Sequence, residues 1–237
     1  MTTTQPAPAW RGRPLRAVLF DLDGTLLNTA ADIARALNRA LDEAGWLPFA
    51  VADVSRMIGR GSPMLIQRAA AARGQELSAA ARDSLLERFF HHYGELEERG
   101  ESDAQAYPGV ADTLRQLHEA DLRLAVVTNK HRRFADALLQ RLDLMRWVDA
   151  LIGGDTCERR KPDPQPLLFA CESLAVSPDE ALMVGDSVND VHAARAAPMP
   201  IVCVPYGYNE GQDPSTLKCD AMIATLAELP ALLWPPR

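Results

Sequence analysis

No stretch of this sequence stays apolar for the roughly 18 to 20 residues that a membrane-spanning helix needs. Residues 1–13, MTTTQPAPAWRGR, lack the apolar centre of a secretory signal and are expected to form a flexible leader on a cytoplasmic protein. The chain has only four cysteines, Cys157, Cys171, Cys203 and Cys219, at separations of 14, 32 and 16 residues. Those spacings match no CxxC or zinc pattern, so the four read as small thiols in a reducing compartment. Basic charge is also short: 25 Lys and Arg against 32 Asp and Glu give a net charge of −7. A general nucleic-acid binder needs clustered Lys and Arg to displace counterions from phosphate, so no nucleic-acid partner is expected. Three reactive patterns are missing as well. There is no G-x-S-x-G of a serine hydrolase, no GxxxxGK[ST] phosphate loop and no HExxH. The five histidines, His91, His92, His118, His131 and His192, are therefore given no ligand or catalytic role. No internal repeat is visible, and no low-complexity tract beyond the leader.

What remains is an ordinary globular composition, 47% hydrophobic and 24% charged. At about 150 residues per domain, 237 residues suggest a core with a smaller insert. Short apolar runs at Leu15–Phe20, Leu122–Val127, Val148–Ile152, Ala181–Val184, Ile201–Val204 and Ala221–Ala224 read as buried strands. Helical patterns at Gly109–Ala120, Phe134–Leu142, Pro166–Leu174 and Val188–Ala197 lie between most of them. This alternation predicts an α/β fold, a Rossmann-like parallel sheet covered on both faces. Residues 30–106 break the alternation. Ile33, Leu37, Leu41 and Ala44 mark one helical face. Ser62-Pro63 is expected to cap and open a second helix through Ala72, and Ser78 to cap a third with Leu85, Leu86, Phe89 and Phe90 inward. The expected organisation is a core of residues 14–29 and 107–237 with an inserted helical cap, residues 30–106.

Four motifs fall where strands stop. Asp21-Leu22-Asp23-Gly24-Thr25 places two carboxylates one residue apart, able to converge on one cation but otherwise repelling each other. Thr128-Asn129-Lys130 offers a hydroxyl and backbone N–H groups to an anion. Lys161 sits in the Pro-stiffened loop Arg159–Pro164, and Gly185-Asp186-Ser187-Val188-Asn189-Asp190 puts two carboxylates at a helix start. Each alone is also compatible with an ordinary turn or a capped helix. Together, at the carboxyl ends of strands in a parallel sheet, they make a hard-cation site beside an anion site.

The motifs DLDGTLLNT, VVTNK, RKPDP and GDSVND resemble those of haloacid-dehalogenase-superfamily phosphatases, and the helical insert is similar to that superfamily's C1 cap. The resemblance implies that Asp21 is the nucleophile, forming an aspartyl-phosphate, and that Asp23 is the general acid and base. It further implies Mg²⁺ held by the Asp21 side chain, the Asp23 carbonyl and Asp186. Asp190 would contact metal waters or steady Lys161. Thr128, the Asn129 N–H and Lys161 would hold the phosphoryl oxygens. Ile58-Gly59-Arg60-Gly61-Ser62 and Val204–Asn209 resemble segments of bacterial phosphoglycolate phosphatases, which implies 2-phosphoglycolate as substrate, with Arg60 a candidate for its carboxylate. Arg60 stands where many relatives carry a smaller polar residue, and Asn28 where they often carry Asp. The alternatives are a sugar-phosphate phosphatase (for an amino-sugar 6-phosphate), a β-phosphoglucomutase-type phosphotransferase and a non-catalytic phospho-acceptor. The partner expected is a small phosphorylated metabolite; monomer and dimer both stay open.

Overall fold

The computed structural model describes residues 7–234. The chain opens with β1 (Ala9–Trp10) and β2 (Arg13–Pro14), paired antiparallel. Part of the expected leader is therefore ordered structure. Trp10 is buried and packs into the core beside Leu15 and Leu233, a role invisible in a Pro-rich, aperiodic stretch. Residues 1–6 lie outside the described residues.

Next come β3 (Ala17–Phe20) and β4 (Leu27–Asn28). Four helices follow: α1 (Ala30–Asp42), α2 (Val51–Ser55), α3 (Ser62–Ala72) and α4 (Ala79–Glu98). The chain returns through β5 (Gln105–Ala106), α5 (Val110–Glu119), β6 (Arg123–Val127), α6 (Arg132–Arg141), β7 (Ala150–Ile152) and α7 (Gln165–Leu174). It ends with β8 (Ala181–Gly185), α8 (Val188–Ala196), β9 (Ile201–Cys203), β10 (Ala221–Met222) and α9 (Leu229–Leu233). The main sheet has the order β10-β9-β8-β3-β6-β7, and every pairing in it is parallel.

Alternate residues of these strands face opposite cores, as the two-residue period of a strand dictates. Val18, Phe20, Leu124, Val126, Leu182 and Val184 pack on one face with Val110, Leu114 and Leu117 of α5 and Leu138 and Leu139 of α6. Ala17, Leu19, Ala125, Val127, Ala181 and Met183 pack on the other with Leu167, Ala170 and Cys171 of α7 and Val191 of α8. Burial on both faces explains why the strands read as unbroken apolar runs. Because β3, β6 and β8 are parallel neighbours, their carboxyl ends open on one edge.

The helical unit has its own core, built from Ile33, Leu37 and Leu41 of α1, Leu65 and Ile66 of α3 and Leu85, Phe89 and Tyr93 of α4, with Phe134 reaching in from α6. Where the chain leaves and re-enters the sheet domain, β4 pairs antiparallel with β5. These two-residue strands are too short to show a period, so the sequence pattern missed them. The fully buried Asp32 on α1 closes the crossing: its carboxylate accepts from the Asp103 N–H (2.8 Å), the Ala104 N–H (3.2 Å) and the Ser102 hydroxyl. Ser78 caps α4 as expected, accepting from the Ala81 N–H at 3.2 Å. Ser62 does not cap α3. Gly61 takes the N-cap position at φ 80°, and Ser62 is the first helical residue. The short helix α2 was not anticipated. Among the described residues no helix is long and apolar enough to cross a membrane, and all four cysteines are free thiols.

The docked hairpin makes a prediction. Trp10→Ala should lower unfolding free energy by about 3 kcal/mol, the lower end for truncating a buried aromatic. The check is the urea midpoint at unchanged slope; a midpoint equal to wild type would mean that the hairpin adds nothing to the fold.

Candidate active site

The open edge of the sheet collects the polar motifs. Asp21 follows β3 and Thr128 follows β6; Asp186 follows β8, and Asp190 lies in the first turn of α8. Lys161 arrives on the loop after β7. Its buried ammonium lies 2.9 Å from Asp21 Oδ1 and 2.7 Å from Asp190 Oδ1. Burial opposes its charge, but the Asp190 and Asp21 carboxylates outweigh that and hold its pKa above the ordinary lysine value.

Carboxylate oxygens of Asp21, Asp186 and Asp190 lie within 4.8 Å of one another. Burial, with Asp190 adding repulsion against the pull of Lys161, raises the pKa of Asp21 to about 7. Burial and the charges of Asp190 and Asp21 raise that of Asp186 to about 8. Asp190 is fully engaged: one oxygen takes Lys161, while the other accepts from the Ser187 hydroxyl (2.7 Å) and N–H (3.1 Å) at the start of α8. Asp186 accepts from the Thr25 hydroxyl at 2.9 Å and the Tyr208 N–H at 2.7 Å.

The backbone must come unusually close to reach this geometry. A Cβ on Gly207 would stand 2.2 Å from Asp186 Oδ2, and one on Gly24, which sits at φ +92°, would stand 2.6 Å from the same atom. Only glycine fits at either position.

The Asp23 side chain turns away from this cluster. It accepts from the Thr29 hydroxyl at 2.6 Å, and the Lys130 ammonium lies 3.1 Å from Oδ1 and 3.3 Å from Oδ2. With Thr29 so occupied, α1 has no side-chain cap of its own. The Tyr208 hydroxyl substitutes, accepting from the Thr29 N–H (2.8 Å) and Ala30 N–H (3.0 Å), and donating to Asn28 Oδ1 (3.1 Å).

Among these groups four carboxylates (Asp21, Asp23, Asp186 and Asp190) face two ammonium groups (Lys130 and Lys161). Ionising all four would leave two negative charges over; burial first, and then the charge of Asp190, raises the pKa values of Asp21 and Asp186 against that state. The donor set is all oxygen, and a hard divalent cation such as Mg²⁺ would supply the missing charge. The residues present fit such an ion, with Asp21 and Asp186 as side-chain ligands and Asp190 steadying Lys161.

Over the mouth sits a small, partly open cavity lined by Asp21, Asp23, Thr128, Asn129 and Lys130 below and by Ile33, Ile58, Ser62, Leu65, Phe89 and Tyr93 from the helical unit. Its volume is about 50 Å³. The Asn129 amide holds the roof down, donating to the Gly59 carbonyl and the Lys161 carbonyl, both at 2.9 Å.

Arg60 does not join this lining. Its Nε lies 3.2 Å from Glu210 Oε1, and the side chain is 45% exposed. Glu210 also accepts from Arg68 of α3 and from Asn189 Nδ2 at 2.9 Å. Burial works to raise the Glu210 pKa, but the Asn189 and Arg68 bonds outweigh it and hold it below the usual carboxylate range. Arg60 is thus a surface clasp between helical unit and sheet, because the turn that carries it is pinned through Gly59 and directs it outward. The cation that does line the cavity is Lys130. Its place directly after Thr128-Asn129 was the available signal, and the sequence reading gave it no role.

Residues 18–204 match the family model described as haloacid dehalogenase-like hydrolase. The chain is similar to a phosphoglycolate phosphatase of Nitrosospira multiformis, 42% identical over 93% of this chain and 96% of that protein. It is 41% identical to a plasmid-encoded phosphoglycolate phosphatase of Cupriavidus necator, over 94% and 95%. Among solved structures, a predicted phosphoglycolate phosphatase from Haemophilus somnus superposes with a TM-score of 0.85 at 30% identity, covering 92% and 97%.

Gly207→Ala would drive a methyl group into Asp186. We expect turnover to fall about 100-fold, the penalty for displacing a catalytic group by roughly 1 Å, with the far-UV circular dichroism spectrum retained. Activity within threefold of wild type would contradict the close approach.

Proposed function

This chain belongs to the haloacid dehalogenase-like hydrolases and is a phosphomonoester hydrolase, and from that premise we propose that its substrate is 2-phosphoglycolate, cleaved to glycolate and phosphate with Mg²⁺ in the cytoplasm. The observation that carries the substrate reading is the cavity. It is small, about 50 Å³, mostly apolar in its roof and supplied with one ammonium group, Lys130. Such a space suits a short phosphorylated acid and leaves little room for a sugar ring. The four free thiols and the absence, among the described residues, of a membrane-crossing helix support the cytoplasmic setting.

In this reading Asp21 attacks phosphorus, the bond to the leaving alkoxide breaks, and an aspartyl-phosphate forms. Asp23 gives its proton to that alkoxide and later takes one from the water that attacks the aspartyl-phosphate at phosphorus, whose bond to Asp21 then breaks to release phosphate and restore the carboxylate. Its bonds to Thr29 and Lys130 aim the carboxyl into the cavity rather than toward Asp186. Thr128, the Asn129 N–H and Lys161 bind the phosphoryl oxygens, with Lys161 locked between Asp21 and Asp190 before substrate arrives. Such fixed donors stabilise developing charge without reorganising during the reaction. Mg²⁺, when bound, offsets the two surplus negative charges and draws charge from the phosphoryl group. The Asn129 bridge and the apolar roof keep bulk water out, which strengthens every electrostatic contact below.

The test is phosphate release from 2-phosphoglycolate, β-glucose 1-phosphate and an amino-sugar 6-phosphate, with Mg²⁺ and with EDTA. The expected result is a Mg²⁺-dependent kcat/KM at least about tenfold higher for 2-phosphoglycolate, no activity in EDTA, and none in Asp21→Asn. A flat profile or a sugar-phosphate preference would remove the substrate assignment; substantial turnover by Asp21→Asn would remove the nucleophile.

A further inference from the structure

Lys130 is buried, yet its ammonium is not consumed by the phosphoryl-binding groups. It lies 4.5 Å from the centroid of the Tyr93 ring, a cation–π contact, and two of its three donors face the Asp23 oxygens. Burial opposes its charge, but Asp23 and Tyr93 outweigh that and keep it protonated at every physiological pH.

Tyr93 supplies a second, independent observation. Its ring is clamped by Phe134 (4.8 Å between centroids) and Phe89 (5.8 Å), so the hydroxyl has a fixed position. That hydroxyl is buried, and its polar neighbour is the Lys130 ammonium, itself a donor, so its own proton has no acceptor. A buried phenol O–H without an acceptor carries a desolvation penalty that a bound acceptor would relieve. Burial raises its pKa further, so the group remains a neutral O–H donor.

The helical unit surrounds these two donors with the apolar side chains of Ile33, Ile58, Leu65 and Phe89, and Asp23, already bound to Lys130, is the acceptor beside them. One ammonium and one phenol O–H, side by side against an apolar wall, are the complement of a small oxyanion. Lys130 is the sole cation among the described residues lining the cavity. We infer that Lys130 and Tyr93 form the subsite for the substrate's carboxylate and are the residues that make the enzyme select a short phosphorylated acid. Arg60 then serves only the outer clasp. This assignment rests on the 2-phosphoglycolate reading and adds to it the residues that enforce it.

The experiment compares kcat and KM for 2-phosphoglycolate and for ethyl phosphate, in which a methyl group replaces the carboxylate, using the full chain with Mg²⁺. Wild type should strongly prefer 2-phosphoglycolate. In Lys130→Met the ratio of the two kcat/KM values should fall about thirtyfold or more, chiefly through KM for 2-phosphoglycolate, as for loss of one member of a buried charge pair. In Tyr93→Phe, which keeps the ring, the ratio should fall about fivefold, as for one hydrogen bond. Equal losses on both substrates in Lys130→Met would mean that Lys130 only positions Asp23; that overturns the subsite and leaves the substrate reading standing. Should Lys130→Met fail to fold, an unchanged ratio in Tyr93→Phe overturns the two-donor subsite by itself. A wild-type ratio near one overturns the substrate reading and the subsite with it.

Discussion

A buried cluster of four carboxylates with two ammonium groups governs this structure. Burying a carboxylate without compensation is expensive, and here Asp21, Asp23, Asp186 and Asp190 share one sheet edge with Lys130 and Lys161 alone. The fold tolerates the arrangement because parallel strands bring those loops together and because every carboxylate is held by fixed donors: Leu22 N–H on Asp21, Thr29 on Asp23, Thr25 and Tyr208 on Asp186, Ser187 on Asp190. The same imbalance makes the site ready for a divalent cation and a phosphoryl group. Lys161 divides its charge between Asp21 and Asp190, so it holds both carboxylates in place.

The helical unit completes the site by closing it. Several connections hold it against the sheet domain, two of them beside the site. One is internal, Asn129 binding the Gly59 carbonyl; the other is external, Glu210 gathering Arg60 and Arg68. The surface ion pairs contribute little stability individually. They join the sheet side to the helical unit whose Ile58 and Leu65 line the cavity. Tyr208 links both tasks, with its N–H on Asp186 and its hydroxyl capping α1, the first helix of the roof.

The sheet was legible because its central strands are buried on both faces and so appear as apolar runs; the strands observed at 17–20, 123–127 and 181–185 all lie on such runs. The carboxylates and Lys161 were legible because each stands where such a run stops. Features that depend on distant partners were not. The two-residue strands at 9–14, 27–28 and 105–106 have no period to read. Trp10 could not be placed in the core from a Pro-rich segment. Arg60 looked like an anion ligand because a Gly-flanked arginine suits one, but its direction depends on Asn129, seventy residues away, holding Gly59. Lys130 offered only its place after Thr128-Asn129 as a signal, because its burial comes from Tyr93 on α4, distant in sequence.

The most direct measurement is the melting temperature with EDTA and across a Mg²⁺ series, for wild type and for Asp186→Asn. Ion binding to the folded state alone raises stability as RT ln(1 + [Mg²⁺]/Kd). If the buried carboxylate cluster governs the site, wild type should gain stability along that curve and saturate as one site, while Asp186→Asn should gain much less at the same concentrations. A wild-type melting temperature indifferent to Mg²⁺, or an equal rise in the variant, would contradict the account.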